Sequence, residues 1–504
     1  MLSILEDLGR SADADRLIRR YRQNGDVGDV EFAKVATTWS ISTGRGDFLA
    51  EVLAEAPMGS EARSEYLIGI GLLSAGSESE ARSQWISELR QAAPVDGERA
   101  RARTAVIDAS EVLVQGSLEP LRRLYAQARS ADAILPELIA AASAALSVGD
   151  GHAAKRFAEA AESKSTTMIG GLLYIDALFR LGERRGATDA ALSLFNRYPT
   201  RIEPALVLVT AWADAGRMPS DQLDQIRRAT GTSQPLQLLD RIVDSVGMIA
   251  ATANAHAAAC IAERRLDRLQ DVVVTLLAES PPAIEAMLQV HTRIAGLAPN
   301  LSELLRTRLL EVAPRDPRVI ALSIDGESPD LQVLQRLRES LPIDDEDPVV
   351  RTEAWLALLA AGRGLDEAGY QSLAREALAA APTSLLIASQ VLYDARSWAD
   401  PDFSLSIVDR VKQLLGEGSP EYSIASANWL LVHAADDASA RSEAIIDLNR
   451  HFLADPESFV IGATLLRLLI ADSDTNPQSA IRLGRKLIAD RPDAVEMYPV
   501  VISL

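Results

Sequence analysis

The chain has 504 residues, 48% hydrophobic and 24% charged, which is ordinary globular usage and disfavours disordered, collagen-like and membrane classes. A formal net charge of −20 argues against nucleic acid as a partner, because phosphate binding needs a basic face. Aromatics are 5%, alanine and leucine are abundant, and one cysteine, Cys260, leaves no internal disulfide, so an all-α protein is expected.

The opening "MLSILEDLGRSADADRLIRR" puts Glu6 and Asp7 where a signal peptide would need its apolar core, so the chain as written reads as cytoplasmic. A periplasmic or envelope location would require a removed upstream targeting segment. No apolar run reaches the ~18 residues that span a bilayer. "RLIRRYRQ" supplies Arg16, Arg19, Arg20 and Arg22, the first of two basic clusters that could grip an acidic peptide tail. Arginines of this kind also lie over helix surfaces and pair with neighbouring carboxylates. With only five lysines among 51 basic residues, the arginine excess itself reads as codon bias.

From Val30 onward the pattern is helix, glycine-containing turn, helix, proline. Val30 to Pro57 turns at "GRGD", and Glu61 to Pro94 turns at "AGSESEA". "GERARAR" then supplies Arg99, Arg101 and Arg103, the second basic cluster. Four more segments, through "IEPALVLVTAWADAGRMPSDQLDQIRRATG", each carry two apolar stripes around a turn.

Residues 232–347 are less regular. "NAHAAACIAE" sets His256 and Cys260 four apart, a possible metal pair, yet the surrounding alanines favour a buried helix face. "APRDPRVIALSIDGESPDLQ" predicts a shortened helix between proline-rich loops, and a bend is expected around Arg315 to Pro348. The acidic run "IDDEDP" suits the start of the helix after Pro348, where carboxylates favour the macrodipole.

The C-terminal region carries the repeat most openly. Pro420, Pro456 and Pro492 are 36 residues apart, as are Ala444 and Ala480, and Pro348 to Pro382 spans 34. Small residues let helices approach, and proline ends one helix while suiting the first turn of the next. "DSDTN" starts like a calcium loop, but Pro477 and Leu483 stand where glycine and glutamate are needed. The final "DAVEMYPVVISL" aligns Val501, Ile502 and Leu504 on Leu465, Leu466 and Leu468 of the preceding unit. It therefore reads as the opening of a further repeat, and Val500, Val501, Ile502 and Leu504 form a possible terminal docking or self-association surface.

On these spacings the chain resembles the tetratricopeptide repeat family in divergent form; the family's Trp, Gly and Tyr positions in the first helix are mostly unmatched. The resemblance implies an all-α, right-handed α-solenoid of antiparallel helix pairs, about 13 to 14 of them at ~36 residues each. Three stretches are expected: regular repeats over 1–231, degenerate repeats with the bend over 232–347, and regular repeats over 348–504 that stop mid-repeat.

No P-loop, dinucleotide turn, nucleophile elbow or paired-histidine zinc helix occurs, so neither catalysis nor a cofactor or metal is expected. The expected role is a protein or peptide scaffold or adaptor that uses a concave solenoid face. Two alternatives are a helical-repeat segment of a bacterial envelope polysaccharide or protein export system, and a non-catalytic arm of a larger enzyme such as a glycosyltransferase.

Overall fold

A computed structural model describes residues 11–24, 26–73, 79–92, 97–115, 117–199, 201–215, 220–246, 250–314, 316–322, 335, 337–339, 348–362, 365–392, 394–456, 458–472 and 477–490. Every regular element among them is a helix. In chain order these are α1 (Ser11–Asn24), α2 (Val30–Thr43), α3 (Gly46–Glu55), α4 (Glu61–Leu73), α5 (Ser79–Gln91), α6 (Glu98–Gln115), α7 (Leu118–Ala128), α8 (Leu135–Val148), α9 (Gly151–Lys164) and α10 (Met168–Arg180). Next come α11 (Arg184–Arg197), α12 (Ile202–Asp214), α13 (Ser220–Thr230), α14 (Pro235–Val246), α15 (Ala250–Ala262), α16 (Leu266–Ala278), α17 (Ile284–Ile294), α18 (Pro299–Val312) and α19 (Pro317–Ala321). The last are α20 (Pro348–Ala361), α21 (Glu367–Ala380), α22 (Leu385–Leu392), α23 (Ala395–Trp398), α24 (Pro401–Leu415), α25 (Pro420–His433), α26 (Ala438–Ala454), α27 (Phe459–Ala471) and α28 (Pro477–Asp490).

Helix boundaries follow local chemistry. Asp29, Asp150, Asp366, Asp400 and Asp437 cap α2, α9, α21, α24 and α26, each accepting from a backbone N–H of the first turn. The "GRGD" turn works because Gly44 takes the left-handed conformation, φ 70°, at the end of α2. Pro348, Pro401, Pro420 and Pro477 open helices. Pro456 does not: α27 starts at Phe459, with Ser458 at the N-cap position and no side-chain bond to the first turn. The starts of α25 and α27 are 39 residues apart, as are those of α26 and α28, so the loops take up three residues more than the proline spacing implies. The shortened helix predicted in the degenerate stretch is α19, five residues long, capped by Asp316.

Consecutive helices pack on one another along the chain, and alternate helices also touch: α2 on α4, α4 on α6, α6 on α8 and α8 on α10. The path then closes, because α10 also packs on α2. Tyr198 Oη donates to Ser42 O at 3.0 Å and Arg201 donates to Thr43 O at 3.0 Å, satisfying carbonyls at the end of α2. Inside this closed set, ten consecutive residues of α8, Glu137 to Leu146, are buried. Ten consecutive positions cover every face of a helix, so α8 is a core element, and its alanines allow the neighbours to come close.

Three apolar cores result. One joins residues between Ile18 and Ala177 to residues between Ile320 and Ala425, so helices from both ends of the chain share it. The second spans Met168 to Val319, and the third Ile424 to Leu487. The shared core exists because α20 packs on α6 and α24 on α7. Among the described residues, no helix is long and apolar enough to cross a membrane.

Candidate functional site

The first basic cluster lies on α1. Arg22 donates to Glu51 at 2.6 Å and to both oxygens of Glu55, and Arg19 reaches Asp15 at 3.2 Å and Glu51 at 3.3 Å. Arg16 pairs with Asp13, and Arg20 is exposed. Arg19, Arg22, Gln23 and Glu55 line an open cleft of about 430 Å³. The heads of Arg16, Arg19 and Arg22 are thus engaged by carboxylates of α1 and α3 before any ligand arrives.

The second cluster, on α6, is built into the packing more deeply. Arg101 holds Glu137 by two bonds of 2.8 and 2.7 Å, and Glu137, on the buried helix α8, also accepts from Ile134 N–H. Arg99 pairs with Glu65 at 2.7 Å, and Arg103 donates to Arg90 O at 2.9 Å. Both clusters show the carboxylate pairing that arginine-rich helix surfaces favour, and the two are not brought together into one site. Val500, Val501, Ile502 and Leu504 lie outside the described residues, as do most of "IDDEDP" and "DSDTN".

His256 and Cys260 are both buried on α15. Burial pushes the thiol up to about 11 and lowers the imidazole below its usual range, which keeps both neutral. Neither ring nitrogen of His256 has a hydrogen-bond partner, and no group of three or more His, Cys, Asp or Glu among the described residues could hold a metal.

A constellation of ionisable groups among the described residues was not legible in the sequence. It sits where α7, α9 and the α8–α9 turn meet α25 and the end of α26. Asp150, the cap of α9, accepts from Ala153 N–H at 2.9 Å and from Tyr125 Oη of α7 at 2.9 Å. Lys155 Nζ bonds both oxygens of Glu183, at 3.0 and 2.8 Å, and Asp455 Oδ1 at 3.2 Å. His152 Nδ1 lies 3.6 Å from Asp455 Oδ2. Glu421, in the first turn of α25, completes the group: both of its carboxylate oxygens are shut off from water, and its side chain lies within hydrogen-bonding reach of Asp150.

Burial and then Asp150 hold the Glu421 carboxyl up to about 8. Burial alone would lower His152, but Asp455, Glu421 and Asp150 outweigh it and raise the imidazole. Burial opposes the charge on Lys155 as well, and its bonds to Glu183, with the field of Asp455, reverse that. Asp455 is lowered despite burial, through His152 and Lys155. Burial and Asp150 together raise the Tyr125 phenol well above its ordinary range. The members come from positions as far apart as 125 and 455, and each reads locally as an ordinary helix, cap or turn residue, so no spacing could announce the group.

Such a set of acids and bases, joined across residues far apart in the chain, can hold two parts of the protein in register. A different surface is open. The 17-residue helix α26 buries only Leu448, while Ile446 is 67% and Leu453 72% exposed. Val432 on α25 and Val460 on α27 are exposed too. Compared with known proteins, the chain matches no family model and no curated protein.

Proposed function

We propose that the chain is a right-handed α-solenoid of antiparallel, tetratricopeptide-like helix pairs that acts as a non-catalytic scaffold or adaptor for a protein or peptide partner. The succession of packed helices, glycine turns and aspartate caps supports the solenoid reading. The observation that carries the interaction role is the apolar side of α26. Ile446 and Leu453, seven residues apart, share one helix face with Asp447 and Arg450 at its edge, the arrangement of apolar anchors with a polar rim that protein interfaces use. The helix packs inward through Leu448, with Ala444, Ile445 and Phe452 against the same core, and leaves Ile446 and Leu453 on its outer side. With α8 filling the space between its neighbours, outer helices are the better placed to bind.

The test is site-specific photo-cross-linking in cells from Ile446 and Leu453, with Arg20, exposed on α1, as the control position. Expected is one discrete protein adduct from the two apolar positions, lost in the Ile446→Asp/Leu453→Asp double variant while helicity is unchanged. Adducts no stronger than those at Arg20 would end this reading.

A further inference from the structure

The meeting of α7, α9 and α25 buries two carboxyl groups together, and their surroundings differ. Asp150 is an acceptor twice over, from Tyr125 Oη and from Ala153 N–H, so its oxygens are stabilised as an anion. Glu421 meets no donor from another residue at either oxygen and stands against the Asp150 carboxylate, and an ionised carboxylate so placed away from water is far costlier than a neutral one. The proton of this acid pair therefore belongs on Glu421.

We propose that this seam is a proton-operated latch: closed while Glu421 is neutral, and loosened when Glu421 ionises against Asp150 in a space that water does not reach. Several elements near Glu421 contribute a charge or a titratable group. The α8–α9 turn and α9 bring Asp150, His152 and Lys155, and α7 brings Tyr125 with Arg129 over its ring. The end of α26 brings His451 and Asp455, the former sensing His152. α24 brings Lys412, which lies over the Tyr422 ring and pairs with Glu417. Glu183, capping α11, neutralises Lys155. Among these, His152 favours the Glu421 anion while Asp150 and burial oppose it, so opening follows rising pH.

The sign follows from linkage. A carboxyl raised in the closed state binds its proton more tightly there than when exposed, so closure is favoured at low pH and lost as pH rises through the closed-state value. One proton released on opening changes the opening equilibrium by up to about tenfold per pH unit below that value.

Hydrogen exchange of the whole chain between about pH 6 and pH 9, corrected for intrinsic rates, reads this directly. Expected is a rise of about tenfold or more in seam opening over that range, confined to residues 118–128, 146–156 and 420–430, with α15 unchanged. Glu421→Gln keeps the neutral shape and removes the response. Asp150→Asn, which retains a good helix cap, relieves the like charge and weakens the response, and serves should the first variant fail to fold. A rise spread evenly over the chain, or one persisting unchanged in these variants, overturns the proposal.

Discussion

Lys155 Nζ lies 3.2 Å from Asp455 Oδ1, joining two residues 300 positions apart. The same ammonium holds Glu183, so a single lysine ties the α9–α11 region to the end of α26. Lys155→Met leaves two shielded carboxylates without their cation, and a loss of about 3 kcal/mol is expected in denaturant unfolding. Combining it with Glu183→Gln recovers part of that loss, since the penalty comes from the stranded charge. Because Asp455 is lowered, its share of stability is present above its unfolded value and falls away as pH drops through the folded one.

Gly44 ends α2 at φ 70°, and a Cβ there would fall 1.9 Å from Met168 Cε at the start of α10. Met168 is flexible at its tip, so the backbone term dominates. Gly44→Ala is expected to lower stability by about 1–2 kcal/mol in thermal unfolding, and Gly44→Asn by less, because asparagine tolerates the left-handed region.

The arginines of the two clusters are not equivalent. Arg101→Lys replaces a two-bond grip on buried Glu137 with a point charge, and a lower urea midpoint than that of the parent is expected. Arg20→Ala, at an exposed position, stays within about 0.5 kcal/mol of the parent. Parallel urea titrations compare the two.

Cys260 is buried, and burial pushes its thiol up to about 11. Thiolate is the reactive form, so an aromatic disulfide reagent at neutral pH is expected to label the native chain at least about 100-fold more slowly than the chain in denaturant. Labelling at equal rates would mean that α15 opens readily.

Much of the helical layout was written locally. Proline at a first turn, glycine in a left-handed turn and aspartate at a cap each act within four residues, which is why α2, α3, α20 and α25 begin where their signals stand. Pro456 shows the limit: a proline marks a break, but α27 starts only at Phe459, with Ser458 at its N-cap position. Of the groups with chemistry, the sequence exposed the arginines on α1 and α6 without their carboxylate partners, since Glu51, Glu137 and Glu65 lie 29 to 36 residues away from them.

What the sequence alone determined is an acidic, all-helical chain of paired stripes and turns, because helix periodicity and capping are short-range. Only the tertiary structure decided that α10 returns to α2, that α8 becomes a buried core element, and that Glu421 faces Asp150. Those outcomes accumulate from small rotations at every helix contact, and a rotation set by side-chain packing leaves no mark at any single position of the chain.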